Sequence, residues 1–199
     1  MSGASTTERQ DLSLIGQFLL AMPGMSDPRF ARSAILMISH GSTGAMGFIL
    51  NQPVESPSFD EILKEIGLTE EAAMAYNLAQ MPQVFRGGPV EQGRGFVLHS
   101  LDFGLEATAR IGDIAALTAT QEVLRAIAKG RGPERSIVLL GYAGWSGGQV
   151  EDEIIANGWL SVPATHQLLF DTPWDEIYSA ALASLGVSEA LLSSEAGHA

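Results

Sequence analysis

The sequence predicts a single compact domain of the α/β class, with strands and helices mixed rather than strictly alternating. Three observations carry this. Apolar runs of strand length occur beside stripes of helical period, in an order that does not repeat β-α-β-α. No internal repeat and no Pro- or Ser-rich linker interrupts the chain. A length of 199 residues suits one well-cored unit and is short for two. The domain is expected over residues 12–187, between tails at 1–11 and 188–199 that offer little to pack.

The elements follow in order. Gly16 to Ala21 is apolar and stops before Pro23-Gly24, as a buried strand does. Ser33 to Ser39 and Ala45 to Leu50 are two further strands. The turn-forming segment His40-Gly41-Ser42-Thr43-Gly44 joins them and predicts a β-hairpin, and Asn51-Gln52-Pro53 ends its second strand. A helix begins near Pro57, because Phe59, Ile62, Leu63 and Ile66 form one stripe. Asp60 and Glu61 suit its first turn, and Gly67 ends it. Residues 69–80 read as another helical stretch with Thr69 as N-cap.

Residues 83–100 predict two strands around a turn, with Arg86-Gly87-Gly88-Pro89 inside the first. A strand at about 107–112 precedes a helix from Ala119 to Lys129, capped by Thr118-x-x-Gln121 and closed by Gly130. Ser136 to Leu140 is a strand, and Val150 to Gly158 a short helix. A last helix is expected with Thr172 as N-cap and Pro173 at its first position. It would turn Trp174, Ile177, Tyr178, Leu182 and Leu185 inward.

Composition narrows function. The formal charge of −12, from 23 acidic and 11 basic residues, repels phosphate backbones and anionic lipid. Direct nucleic-acid binding is therefore not expected, and the basic residues are scattered apart from a modest cluster at Lys129, Arg131 and Arg135. No apolar stretch reaches the roughly 18 residues that a membrane span needs. The absence of cysteine removes disulfides, thiolate metal sites and cysteine nucleophiles. MSGASTTERQ lacks the basic and apolar regions of a signal peptide, so a cytoplasmic protein is expected.

Gly144-Trp145-Ser146-Gly147-Gly148 matches the G-x-S-x-G nucleophile elbow, which needs a strand, a tight turn and a helix. A triad also needs a base and an orienting acid. Downstream of Ser146 only His166 and His198 are available. His198 is the penultimate residue, and His166 precedes Asp171 and Asp175, against the order of serine, acid, histidine. Glu151, Asp152 and Glu153 also crowd the first turn, where an oxyanion would want positive potential. Ser146 is not expected to be a nucleophile. A hydrolase using Ser146 or a His40/His99 site is the alternative.

The same segment, GYAGWSGGQVEDEIIANGWL, resembles the signature of the YqgE/AlgH family, roughly G-Y-A-G-W-x-x-G-Q-L-E-x-E-I-x-x-N-x-W-L. GQFLLAMPGMSDPRFARSAILMISH with GAMGFILNQP resembles that family's N-terminal block, and FRGGPVEQGRGFVLHS its central block. The resemblance runs from about residue 13 to 185. Ser146 falls on a variable position, and Val150 stands where the family often has Leu. The resemblance implies a bacterial, cytosolic α/β domain on a mixed, partly barrel-like sheet flanked by helices. Members carry labels such as transcriptional regulator or uncharacterised protein. No agreed catalytic residues and no cofactor come with the match.

The motif residues also have readings of their own. Gly87, Gly88 and Gly93-Arg94-Gly95 supply backbone freedom beside Arg86 and Arg94, which suits either an anion nest with an arginine clamp or close backbone packing. His40 and His99 close two strands and could meet on one sheet edge. They could equally be structural, and no H-x-x-x-H or H-E-x-x-H spacing accompanies them, so no metal is expected. Trp145 could stack on a planar ligand or fill the core, as Trp159 could. Gln149 and Glu151 are polar positions in the signature, and an ion pair with Arg86 or Arg94 would account for Glu151. Gly41 to Gly47 lacks the Lys-Ser/Thr of a phosphate loop. A non-enzymatic binding or regulatory protein is the reading these features favour, with an unidentified small molecule or protein as partner.

Overall fold

Ser136 to Ser146 form one strand of 11 residues, β8, around which the molecule is assembled. A computed structural model describes residues 13–68 and 81–195. The strands before β8 are β1 (Gln17–Ala21), β2 (Ala34–Gly41), β3 (Gly44–Ile49), β4 (Val84–Arg86), β5 (Val90–His99), β6 (Ala109–Ile111) and β7 (Ala115–Thr118), and β9 (Trp159–Pro163) follows it. They make a single curled sheet in the order β6-β7-β5-β8-β3-β2-β1-β9, half of a barrel in outline. All these pairings are antiparallel except that of β4, which runs parallel to β8. β5 takes one edge of β8. β4 and β3 divide the other, at residues 138–140 and 143–146.

Alternation along the strands gives the sheet two apolar faces. Phe18, Leu20, Leu36, Phe48, Phe96 and Leu139 point to the inner face. It is covered by α4 (His166–Phe170) and α5 (Ile177–Ser184), which bring Leu168, Leu169, Ile177 and Leu182. The outer face carries two separate clusters. Val84, Val97 and Val138 meet Phe59, Ile62 and Leu63 of α1 (Phe59–Glu65) and Val123 and Ile127 of α2 (Gln121–Ala128). Leu19, Ile35, Met37, Ile49 and Ala143 meet Trp145, Trp159 and Val150 of α3 (Gln149–Ile155).

Both outer clusters draw on β8, through Val138 in one and Ala143 and Trp145 in the other, although simple alternation would put those positions on opposite faces. Gly141 resolves the mismatch. It takes a left-handed φ of 69°, and Glu91 to Arg94 of β5 bulge out opposite it. A Cβ at Gly141 would lie 2.6 Å from the Gly88 carbonyl oxygen and 2.7 Å from that of Val90, so only glycine fits.

The hairpin β2–β3, the start of β1 and α1 lie where the sequence predicts them. Ser58 caps α1 in a reciprocal capping box with Glu61. Other expectations need correction. Gly87 to Pro89 lie between β4 and β5 rather than inside a strand. Thr118 belongs to β7, a strand the sequence reading lacked, and Thr120 is the N-cap of α2. Thr172 does not cap a helix: its hydroxyl donates to the Gln167 carbonyl, and α5 starts at Ile177. Trp174 and Leu185, expected inward, are each 42% exposed. Residues 189–195, expected in a tail, form α6 (Glu189–Glu195), joined to the domain by an Arg32–Glu189 ion pair. The tail at 1–11 and the helix at 69–80 lie outside the described residues.

Candidate functional site

The signature segment builds a polar network on the outer face. Trp145 leaves β8 toward α3, and Trp159 opens β9 beside it, with ring centroids 6.0 Å apart in an edge-to-face contact. Both indoles are buried, so each N–H needs an acceptor. Glu153 supplies one for both. Its Oε2 accepts from Trp145 Nε1 at 2.9 Å and from Trp159 Nε1 at 2.7 Å. Its Oε1 accepts from Gln149 Nε2 at 2.8 Å, and Gln149 Oε1 accepts from the Ser146 backbone N–H at 3.0 Å. Every group facing the Glu153 carboxylate is thus a donor. Sequence reading missed Glu153, which looks like one more first-turn acid. The signal was there: two core indoles flank it and must be satisfied.

Glu151, two residues earlier, faces His40 instead of Arg86 or Arg94. His40 Nε2 donates to Glu151 Oε1 at 2.8 Å, and His40 Nδ1 accepts from the Leu14 N–H at 3.3 Å, so these partners fix the tautomer. The carboxyl of Glu151 is held below its usual range by its own backbone N–H and by the His40 ring. Arg94 pairs with Glu91 at 3.1 Å and lies over the Phe96 ring, while Arg86 is exposed at the end of β4.

His40 and His99 do not meet. The cross-strand partners set them at opposite ends of β8: His99 faces Ser136, whereas His40 faces Ala45, which faces Trp145. His99 is fully buried. Its Nδ1 donates to the Ser100 carbonyl at 2.8 Å, and its Nε2 accepts from the Thr118 hydroxyl at 2.9 Å, which accepts in turn from Thr108 at 2.7 Å. Burial pushes its pKa below the ordinary value, against the smaller opposing effect of the Ser100 carbonyl. Among the described residues no three His, Asp or Glu side chains converge as metal ligands.

The glycines serve close backbone contact. A Cβ at Gly87 would sit 2.3 Å from the Gly141 oxygen, and one at Gly88 would sit 2.0 Å from the Tyr142 carbonyl carbon. The Gly87 N–H already donates to the Leu140 carbonyl at 2.8 Å, so it is not turned toward an anion. Gly147 likewise makes room for the Ser42 carbonyl at the tip of the β2–β3 hairpin. Ser146 alternates away from the α3 side that Trp145 occupies. From Ser136 to the last residue the sequence has acids but no Lys or Arg, and Arg135 and Arg32, from earlier in the chain, pair with Asp171 and Glu189.

An AlgH-like family model matches residues 18–190. The chain belongs to the AlgH-like family. Many UPF0301 proteins are similar over nearly the full length. One from Rhizobium etli is 47% identical over 92% of both chains, and one from Methylocella silvestris is 50% identical over 94% of this chain and 92% of its own. Among solved structures, the solution structure of AlgH from Pseudomonas aeruginosa is 41% identical, covers 100% of both chains and superposes with a TM-score of 0.74. A protein of Corynebacterium diphtheriae, 20% identical, shares the AlgH-like fold with a TM-score of 0.65 over 89% of this chain and 90% of its own. The mixed, partly barrel-like sheet implied by the sequence resemblance is this AlgH-like architecture. No helix among the described residues is long and apolar enough to cross a membrane.

Proposed function

We propose that the protein is a cytoplasmic binding or regulatory protein rather than an enzyme, and that it works through the α3 face framed by His40, Trp145, Gln149 and Glu151. One observation carries the reading: the two histidines at strand ends, His40 and His99, are spent inside the fold. Both ring nitrogens of His40 and of His99 have internal partners, so neither reaches the Ser146 hydroxyl as a free base. A regulatory role of this kind runs through a bound protein or small molecule, since a net charge of −12 repels the DNA backbone. Arg86 and Arg94 lie apart from this surface and are dispensable to it.

Treatment of the full-length protein with a fluorophosphonate probe tests the reading. No adduct at Ser146 is the expected result. An adduct that Ser146→Ala abolishes would overturn it in favour of a hydrolase.

A further inference from the structure

Gly95, in the motif Gly93-Arg94-Gly95, is not accounted for by the packing of the fold. Gly87, Gly88 and Gly141 are pressed against backbone, but a Cβ at Gly95 would meet nothing within 4 Å, and its φ is not left-handed. The bulge does not need it either, since Gly95 is already back in register opposite Leu140. A strand glycine that serves neither a bend nor a close internal contact marks a place where a ligand comes near the backbone. Gly95 faces the outer side of the sheet, as Val97 does two residues on. Its missing side chain leaves open a cavity of about 620 Å³. Val138 and Leu140 of β8 line this cavity from the sheet, Ile62 and Ile66 from α1 and its end, and Leu124 from α2.

The hydrogen-bond ladder stops at the same place. Val138 donates its N–H to Gln83 on the β4 side of β8, so Val97 opposite turns its own N–H and C=O away from β8, toward Thr118 of β7. By the two-residue repeat Gly95 turns the same way, and Thr120 would be its partner. β7 ends at Thr118, and no Gly95–Thr120 pair forms. The Gly95 N–H and C=O therefore face the rim of the cavity as a donor and an acceptor side by side. This opening is one rung long, between the bulge and the Val97–Thr118 pair. It is too short for a strand of a partner chain and suits a small molecule, as the cavity volume does. The rim carries one side chain of each sign, Glu65 and Arg94, and Arg94 is held by Glu91. We propose that this cavity binds a neutral, flat, apolar ligand with an acceptor and a donor adjacent on one edge, as in a lactam, which completes the rung at Gly95. The site belongs to a different outer cluster from the α3 face, and neither depends on the other.

Titration of isotope-labelled full-length protein provides the test, with amide and methyl shifts as the readout. The probes are 2-quinolone, a bicyclic lactam, and N-methyl-2-quinolone, the same ring without its donor. 2-Quinolone is expected to move the Gly95 and Thr120 amides and the Leu124 and Leu140 methyl groups in a saturable way. Loss of the N–H should weaken binding about fivefold, the worth of one hydrogen bond. Gly95→Leu puts a side chain into the open space, so it should melt no lower than the parent and lose the 2-quinolone shifts. No saturable shift, equal affinity for the two quinolones, or shifts centred on Trp145 and Gln149 would overturn the proposal. So would a Gly95→Leu protein that unfolds, because the fold itself would then require the glycine, or one that folds and binds 2-quinolone as the parent does.

Discussion

Trp145 and Trp159 donate to the same oxygen of Glu153, so one side chain of α3 ties together the end of β8 and the start of β9. The rest of the carboxylate meets the Gln149 amide, whose own oxygen is taken by the Ser146 N–H. The direction of every bond is therefore set, and only an acceptor-only group satisfies position 153.

Glu153→Gln places an amide N–H against a donor in either orientation. A loss of about 0.5–1.5 kcal/mol is expected, because the amide oxygen can still accept from both indoles and the mismatch falls on the exposed Gln149 bond. Urea unfolding followed by tryptophan fluorescence measures it. A Glu153→Gln protein as stable as the parent would show that the network is not a structural tie.

Gly88→Ala drives a methyl group into the Tyr142 backbone, which has no side-chain freedom with which to yield. A destabilisation of about 3 kcal/mol or more is expected. Gly93→Ala, where nothing lies within 4 Å, should change stability little. Thermal melts of the two variants make the comparison.

Acid should weaken the fold through groups of two kinds. The folded protein binds a proton at His99 less readily than the unfolded chain does, because burial lowers that pKa from about 6.5. The stability this contributes is complete above pH 6.5 and is lost as the pH falls through the folded value. His99→Gln should be less stable at neutral pH but flatter across this range, which urea midpoints between pH 8 and 5 would record. Glu61 and Glu151, held below their usual values by hydrogen bonds, lose their contribution only in the more acidic carboxylate range.

Ser58→Ala removes the hydroxyl that accepts from the Glu61 N–H and leaves half of the capping box. A cost of about 1 kcal/mol is expected. Thr120→Ala should cost less, because the Thr120 hydroxyl meets only the exposed Glu122 side chain and makes no bond to the α2 backbone. Denaturation midpoints of the pair decide it.

Local signals carried the β2–β3 hairpin and α1, because turn residues, a cap and a periodic stripe agree there. They failed where side chains answer to distant partners. Thr118 looks like a cap, but its hydroxyl bonds His99, far away in sequence. Thr172 and Pro173 look like a helix start, yet the threonine closes the end of α4 instead. The short run at Leu168 to Phe170 has too few residues to show a period, and it is helical. At the candidate site Trp145, Gln149 and Glu151 were legible as unusual polar and aromatic choices. The partner that organises them, Glu153, was hidden by a complete local explanation as a dipole-favouring acid. His40 and His99 could be named but not located, since nothing local says that β8 sets them apart.

The late position of β8 bears on how the chain is made. During synthesis β3, β4 and β5 leave the ribosome long before the strand that all three pair with, and β1 waits longer still for β9. Until then Phe48 and Phe96 have no finished sheet to pack into. The nascent polypeptide is therefore expected to remain uncollapsed into its native form, and in need of protection from aggregation, until its final third has emerged.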